Sequence, residues 1–102
     1  MKTLDQIRRQ VAAGEFEFSR HGLRRIVERN ISKSEIQEAG TGMEIIEDYP
    51  NDKYSPSVLL LGFTATRRAL HLQVSCAETE KTKIITLYEP DSSEWIGFRI
   101  RR

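Results

Sequence analysis

A histidine and two arginines at positions i, i+4 and i+8 (His21, Arg25 and Arg29) form the grouping in this sequence best suited to chemistry. At about 100° per residue, this spacing places all three along one face of a helix. Two arginines there can cradle a phosphate, and the histidine at the end of the stripe can move a proton. RNA cleavage without a metal needs such a set. One group takes the 2′-hydroxyl proton, another protonates the departing 5′-oxygen, and a cation stands against the pentavalent phosphate. The plainer reading of the same spacing is a solvated helix face with Glu28 paired to Arg24.

The other histidine, His71, sits in an alternating run where Leu70, Leu72, Val74 and Cys76 point one way and His71, Gln73 and Ser75 the other. A following strand would offer Thr86 and Tyr88 to that second face. His71 reads either as a hydrogen-bonded strand residue or as a proton-transfer partner of His21. The Tyr88 phenol reads either as an acid/base group or as a half-buried aromatic. His21 and His71 with Asp52, Asp91 or Glu89 show no metal-ligand spacing, so no metal is expected. Cys76 points inward with its apolar neighbours and is a poor nucleophile. No phosphate-cradling glycine motif is present. Arg67, Arg68, Arg99, Arg101 and Arg102 are further candidates for phosphate contact.

These groups sit in a chain of 102 residues with 30% charged and 38% hydrophobic residues. That is one domain by length, residues 1–102, with enough apolar content for a small core. Sixteen bases against fifteen acids exclude a strongly basic or acidic protein, but the charge is unevenly spread. Residues 1–34 hold eight bases and four acids, residues 35–66 one base and six acids, and residues 67–102 seven bases and five acids. Eleven of the sixteen bases are arginine, which favours bidentate pairing with phosphate or carboxylate. The acidic middle suits an arginine-rich surface, within the chain or on a partner. The single cysteine excludes a disulfide framework and fits a cytoplasmic location. The longest apolar run, residues 58–61, is too short to span a membrane, and residues 1–10 lack the pattern of a signal peptide.

The elements that must hold these residues follow from local signals. Thr3 and Asp5 cap a helix that Gly14 ends near residue 13. Residues 15–18 alternate as a short strand. Ser19 caps a second helix over residues 20–30, with Leu23, Ile26 and Val27 as its apolar face and His21, Arg25 and Arg29 roughly opposite. Ser32 caps a third helix over residues 33–39, with Glu35 at capping-box spacing. The second half reads as strands over residues 43–49, 57–64, 69–76 and 83–89, with a loop over residues 50–56 and a hairpin turn at residues 65–68. Trp95, Ile96 and Phe98 form a short closing strand. Helices first and strands after predict an α+β fold, with the N-terminal helices on one face of an antiparallel sheet of about four to five strands.

Several segments in this order resemble an uncharacterised family of small bacterial and archaeal domains of unknown function. They are the run Phe18, Ser19, Arg20, His21, Gly22; then Arg25; then Arg29, Asn30, Ile31, Ser32. They continue with Ile46, Glu47, Asp48, Tyr49, Pro50; with Tyr54, Ser55, Pro56, Ser57; and with Leu59, Leu60, Leu61, Gly62. Leu70 with His71 follows, then the run Ile85 to Asp91, ending near Trp95. The resemblance spans about residues 16–98. Many relatives carry alanine where this chain has Gly22, which weakens the first turn of the helix.

That family is similar to the RelE- and BrnT-like toxin superfamily of α+β ribonucleases. The resemblance implies the toxin of a type II toxin–antitoxin pair, an mRNA-cutting enzyme that needs no cofactor and acts with or without the ribosome. Its partners would be RNA or the ribosome and a cognate antitoxin, for instance an MqsA-type zinc-finger protein. By this analogy His21, His71 and Tyr88 are the catalytic candidates, and Arg25 and Arg29 the phosphate-binding ones. Two other functions compete with it. One is a non-catalytic RNA-, ribosome- or protein-binding module of the same fold. The other is a structural domain that pairs through an exposed edge strand. Homodimerisation is left open.

Overall fold

The computed structural model describes residues 1–53 and 55–102; Tyr54, which contributes to the resemblance above, lies outside the described residues. The elements in chain order are α1 (Leu4–Ala12), β1 (Phe16–Phe18), α2 (Arg20–Arg29), α3 (Lys33–Gly40), β2 (Glu44–Tyr49), β3 (Ser57–Phe63), β4 (Ala69–Ser75), β5 (Thr82–Tyr88), β6 (Trp95–Ile96) and β7 (Ile100–Arg101). The fold is α+β, with the N-terminal helices against a five-stranded sheet of order β1-β5-β4-β3-β2.

The helix ends follow the capping signals closely. Thr3 with Gln6, and Ser32 with Glu35, form complete capping boxes, and the Ser19 side chain accepts from the Gly22 N–H. Asp5 lies inside the first turn of α1, where its charge favours the helix dipole. Asn30 ends α2 in the left-handed conformation, a role that suits asparagine.

The sheet is mixed rather than wholly antiparallel. Four strands pair antiparallel in a meander from β2 to β5, while β1 pairs parallel to β5 through Phe16↔Thr82 and Phe18↔Ile84. No hairpin constrains β1, because three other strands and two helices separate it in sequence from its partner.

One face of the sheet carries the main core. Ile7 and Val11 of α1 and Ile36 and Ala39 of α3 pack over Val58, Leu60, Leu70, Leu72, Val74, Ile84 and Leu87. Cys76 joins this core, and burial raises its thiol pKa, so it is not a ready nucleophile.

The opposite face departs from the sequence reading. His71 points away from the helices but is fully buried, because the chain end folds back over it. Trp95, Ile96 and Phe98 do not form one strand. β6 and β7 make a small hairpin in which Gly97 and Phe98 both have positive φ, 56° and 66°. The Trp95 ring stands edge-on to His71 at 4.5 Å, and Phe98 packs on Phe63 at 5.9 Å.

Two arginines pin this hairpin to β2. Arg101 makes a two-pronged contact with Glu47, at 3.0 and 3.2 Å. Arg99 lies 2.6 Å from Glu44, off the line of a hydrogen bond. Glu44 and Glu47, two of the six acids in residues 35–66, are therefore met by arginines of the same chain.

Candidate nucleic-acid interface and proton-transfer site

Helix α2 is positioned by a close approach to β5. The Ser19 N–H donates to the Ile84 carbonyl (2.9 Å), and the Ser19 hydroxyl donates to the Ile85 carbonyl (2.6 Å). A Cβ on Gly22 would stand 3.0 Å from the Ile84 oxygen, so glycine sets how near the helix sits. This seating turns the helix away from its expected orientation. Gly22 is buried and Ile26 half-buried, while Leu23 and Val27 are 56% and 78% exposed. The His21–Arg25–Arg29 stripe consequently flanks the packed side instead of lying opposite it.

Arg68 fixes the other end of α2. Its guanidinium donates to the Arg29 and Asn30 carbonyls, at 2.9 and 3.2 Å, and pairs with Glu35 (2.9 Å) and Glu89 (2.7 Å). It thereby satisfies carbonyls that the helix end leaves without partners. Arg68 is thus taken up in holding α2, α3 and β5 together. Arg99 and Arg101 are likewise engaged with Glu44 and Glu47, and Arg102 donates to the Ser92 carbonyl.

The arginines of α2 behave differently. Among the described residues, Arg20, Arg24, Arg25 and Arg29 make no ion pair and no side-chain hydrogen bond. The expected Arg24–Glu28 pair is not formed. Arg25 and Arg29 line a cleft of about 290 Å³ together with Tyr88, Glu89, Asp91 and Glu94. Two of those acids are partly occupied: Glu89 holds Arg68, and Asp91 accepts from the Ser93 N–H at 2.9 Å.

Tyr88 connects this cleft to His71. The Tyr88 hydroxyl lies 3.2 Å from His71 Nδ1, and His71 Nε2 lies 2.7 Å from the Phe98 carbonyl oxygen. A carbonyl can only accept, so Nε2 carries the proton. In the neutral ring Nδ1 must then accept from the Tyr88 O–H. Burial raises the Tyr88 pKa and lowers that of His71, so a neutral phenol beside a neutral imidazole is the resting state.

The His71 shift has a consequence for stability. Burial lowers its pKa below the ordinary 6.5, opposed in part by the Phe98 carbonyl and by Glu47, with Arg101 adding to the lowering. The unfolded chain therefore binds a proton at a pH where the folded chain does not. Stability should be full above about pH 6.5 and decline as pH falls towards the folded pKa. Urea midpoints between pH 7.5 and 5 should show this decline. His71→Gln, whose amide can donate to Phe98 and accept from Tyr88, should flatten it. Glu35 and Glu47, both lowered mainly by hydrogen bonds, act only at more acidic pH.

His21 lies one turn before Arg25 and faces a neighbouring groove of about 580 Å³, lined among others by Asp52, Gln73, Ser75, Lys83 and Ile85. The structure thus joins Arg25, Arg29 and Tyr88 in one cleft, sets His71 behind Tyr88, and places His21 in the adjoining groove. Among the described residues, no three His, Cys, Asp or Glu side chains gather as a metal site, and no helix is long and apolar enough to cross a membrane. Sequence reasoning missed Trp95 as the cover of His71. It also missed the Asp52–Gln73 side of the groove, although the polar alternation of β4 had marked Gln73 and Ser75 as one face.

Neither the curated proteins nor the solved structures contain a match to this chain. A family profile described as a domain of unknown function, DUF4258, matches residues 18–89. That segment runs from the end of β1 through β5 and holds His21, Arg25, Arg29, His71 and Tyr88, while α1 and the β6–β7 hairpin fall outside it. With most of its length matched, the chain belongs to the DUF4258 family of domains of unknown function.

Proposed function

We propose that this protein is a metal-independent endoribonuclease acting as the toxin of a type II toxin–antitoxin pair. The observation that carries the reading is the cleft where Arg25 and Arg29, free of ion pairs among the described residues, face a tyrosine hydrogen-bonded to a buried histidine. Arginines left unpaired while Arg8, Arg68, Arg99 and Arg101 are all engaged are available to an anion.

In this mechanism a phosphodiester lies against Arg25 and Arg29, and the adjacent 2′-oxygen attacks phosphorus. Its proton passes to the Tyr88 oxygen as the Tyr88 proton passes to His71 Nδ1. The phenol relays the proton and never has to stand as a phenolate, consistent with its raised pKa. The bond from phosphorus to the 5′-oxygen breaks, and His21, as the general acid, supplies that oxygen with a proton. The products are a 2′,3′-cyclic phosphate and a 5′-hydroxyl. His71 touches no substrate and serves as a positioning and proton-holding residue behind Tyr88. RNA, free or on the ribosome, and a cognate antitoxin of the MqsA type are the partners this reading proposes.

Purified protein in excess EDTA should cleave RNA to cyclic-phosphate ends, identified by mass spectrometry. The Arg25→Ala, Arg29→Ala double variant should bind RNA more weakly, and its log Kd should depend less steeply on log salt by about 1.4. An unchanged salt slope would remove these arginines from the RNA interface. Binding without cleavage, on free RNA and on ribosomes alike, would leave the binding-module alternative.

A further inference from the structure

The groove beside His21 contains a hydrogen-bond network whose polarity can be assigned. The Ser57 hydroxyl donates to Asp52 Oδ2 (2.6 Å), and Gln73 Nε2 donates to the same oxygen (3.2 Å) and to Ser57 Oγ (3.1 Å). A carboxylate only accepts, so the Gln73 atom facing it must be the amide nitrogen. These contacts orient the amide, and Gln73 Oε1 is left as an acceptor without a partner among the described residues.

The rest of the groove complements that acceptor. Ile85 and Ala77 provide apolar wall, Ser75 adds a hydroxyl, and His21 and Lys83 also line it. The volume of about 580 Å³ is in the range of sites for small organic ligands. The groove also adjoins the arginine cleft along two elements. On α2, His21 lines the groove and Arg25 the cleft, about 6 Å apart along the helix axis. On β5, Ile85 lines the groove and Tyr88 the cleft.

We infer that this groove seats a nucleobase of single-stranded RNA, with an N–H edge of the base on Gln73 Oε1 and its backbone phosphate towards Arg25. Inorganic phosphate alone would use neither the apolar wall nor the amide oxygen. The inference rests on the proposed function for the chemical class of ligand, and it adds a base-reading subsite that makes cleavage sequence-dependent.

Calorimetric titration with inorganic phosphate and with the four nucleoside 3′-monophosphates tests it, using wild type, Gln73→Met and Ala77→Phe. Ala77 contributes only backbone groups to the local hydrogen bonds, so Ala77→Phe fills the groove while leaving the Asp52 network intact. Circular dichroism melts establish that each variant is folded. In wild type, at least one nucleotide should bind about tenfold more tightly than phosphate, with the four bases unequal. Both variants should lose most of that advantage while phosphate affinity stays unchanged.

Nucleotides that bind no better than phosphate, or a folded Ala77→Phe that binds them like wild type, would overturn the inference. The two readings fail separately. Base-dependent binding without RNA cleavage would keep the groove and remove the nuclease. Cleavage with base-independent binding would keep the nuclease and remove the groove.

Discussion

Tyr88→Phe should reduce RNA cleavage by about 10²–10⁴-fold while leaving RNA affinity close to wild type. The phenol is the only group that both lines the arginine cleft and reaches His71 among the described residues, so removing its oxygen cuts the proposed relay at its centre. The ring stays, so packing is retained. The structural cost is an unsatisfied His71 Nδ1, about 1–3 kcal/mol for a buried acceptor. A urea melt measures that cost separately from activity. Single-turnover cleavage at saturating protein then isolates the chemical step from binding. Full activity in Tyr88→Phe would end the relay mechanism and return attention to His21 as the sole proton carrier.

His71→Gln distinguishes positioning from proton holding. An amide preserves both hydrogen bonds yet cannot accept a proton. If His71 only orients Tyr88, this variant should keep most of the activity. If His71 holds the proton during attack, activity should fall nearly as far as in Tyr88→Phe, and the acidic limb of the pH–rate profile should move. The proposed mechanism expects the second result.

The parts of this architecture set by nearby residues were legible in the sequence. Ser19, Ser32 and the Ser32–Glu35 capping box mark helix ends by contacts within one turn, and the alternation of Leu70, Leu72 and Val74 marks the inner face of β4 directly. What depended on distant chain was not legible. Leu23 and Val27 read as a packing face because periodicity records apolar spacing. The rotation of α2 is set instead by how closely Gly22 approaches the carbonyls of Ile84 and Ile85. The direction of β1 could not be read either, since its partner lies far along the chain. At the site, the His21–Arg25–Arg29 stripe is local and was visible. The burial of His71 was not, because the residues covering it come from the chain end.

Trp95→Ala should cost about 3–5 kcal/mol of folding stability, a large share of the roughly 5–15 kcal/mol typical of a folded domain. Trp95 is only 2% exposed, meets His71 edge-on, and carries the Arg101 guanidinium over its ring at 4.5 Å. Aromatic and cation contacts of this kind add to the loss of buried area. The hairpin it anchors also holds Phe98 in a left-handed conformation that a bulky residue resists, and the Phe98 carbonyl fixes the His71 tautomer. Losing the tryptophan should therefore wet His71, bring its pKa back towards 6.5, and loosen its hold on Tyr88. Urea denaturation followed by circular dichroism would read the stability, and a histidine NMR titration the pKa. Trp95→Phe should recover much of both, since it restores a ring against His71. A Trp95→Ala protein as stable as wild type, with His71 still protected from protonation, would show that the β6–β7 hairpin does not seal the site.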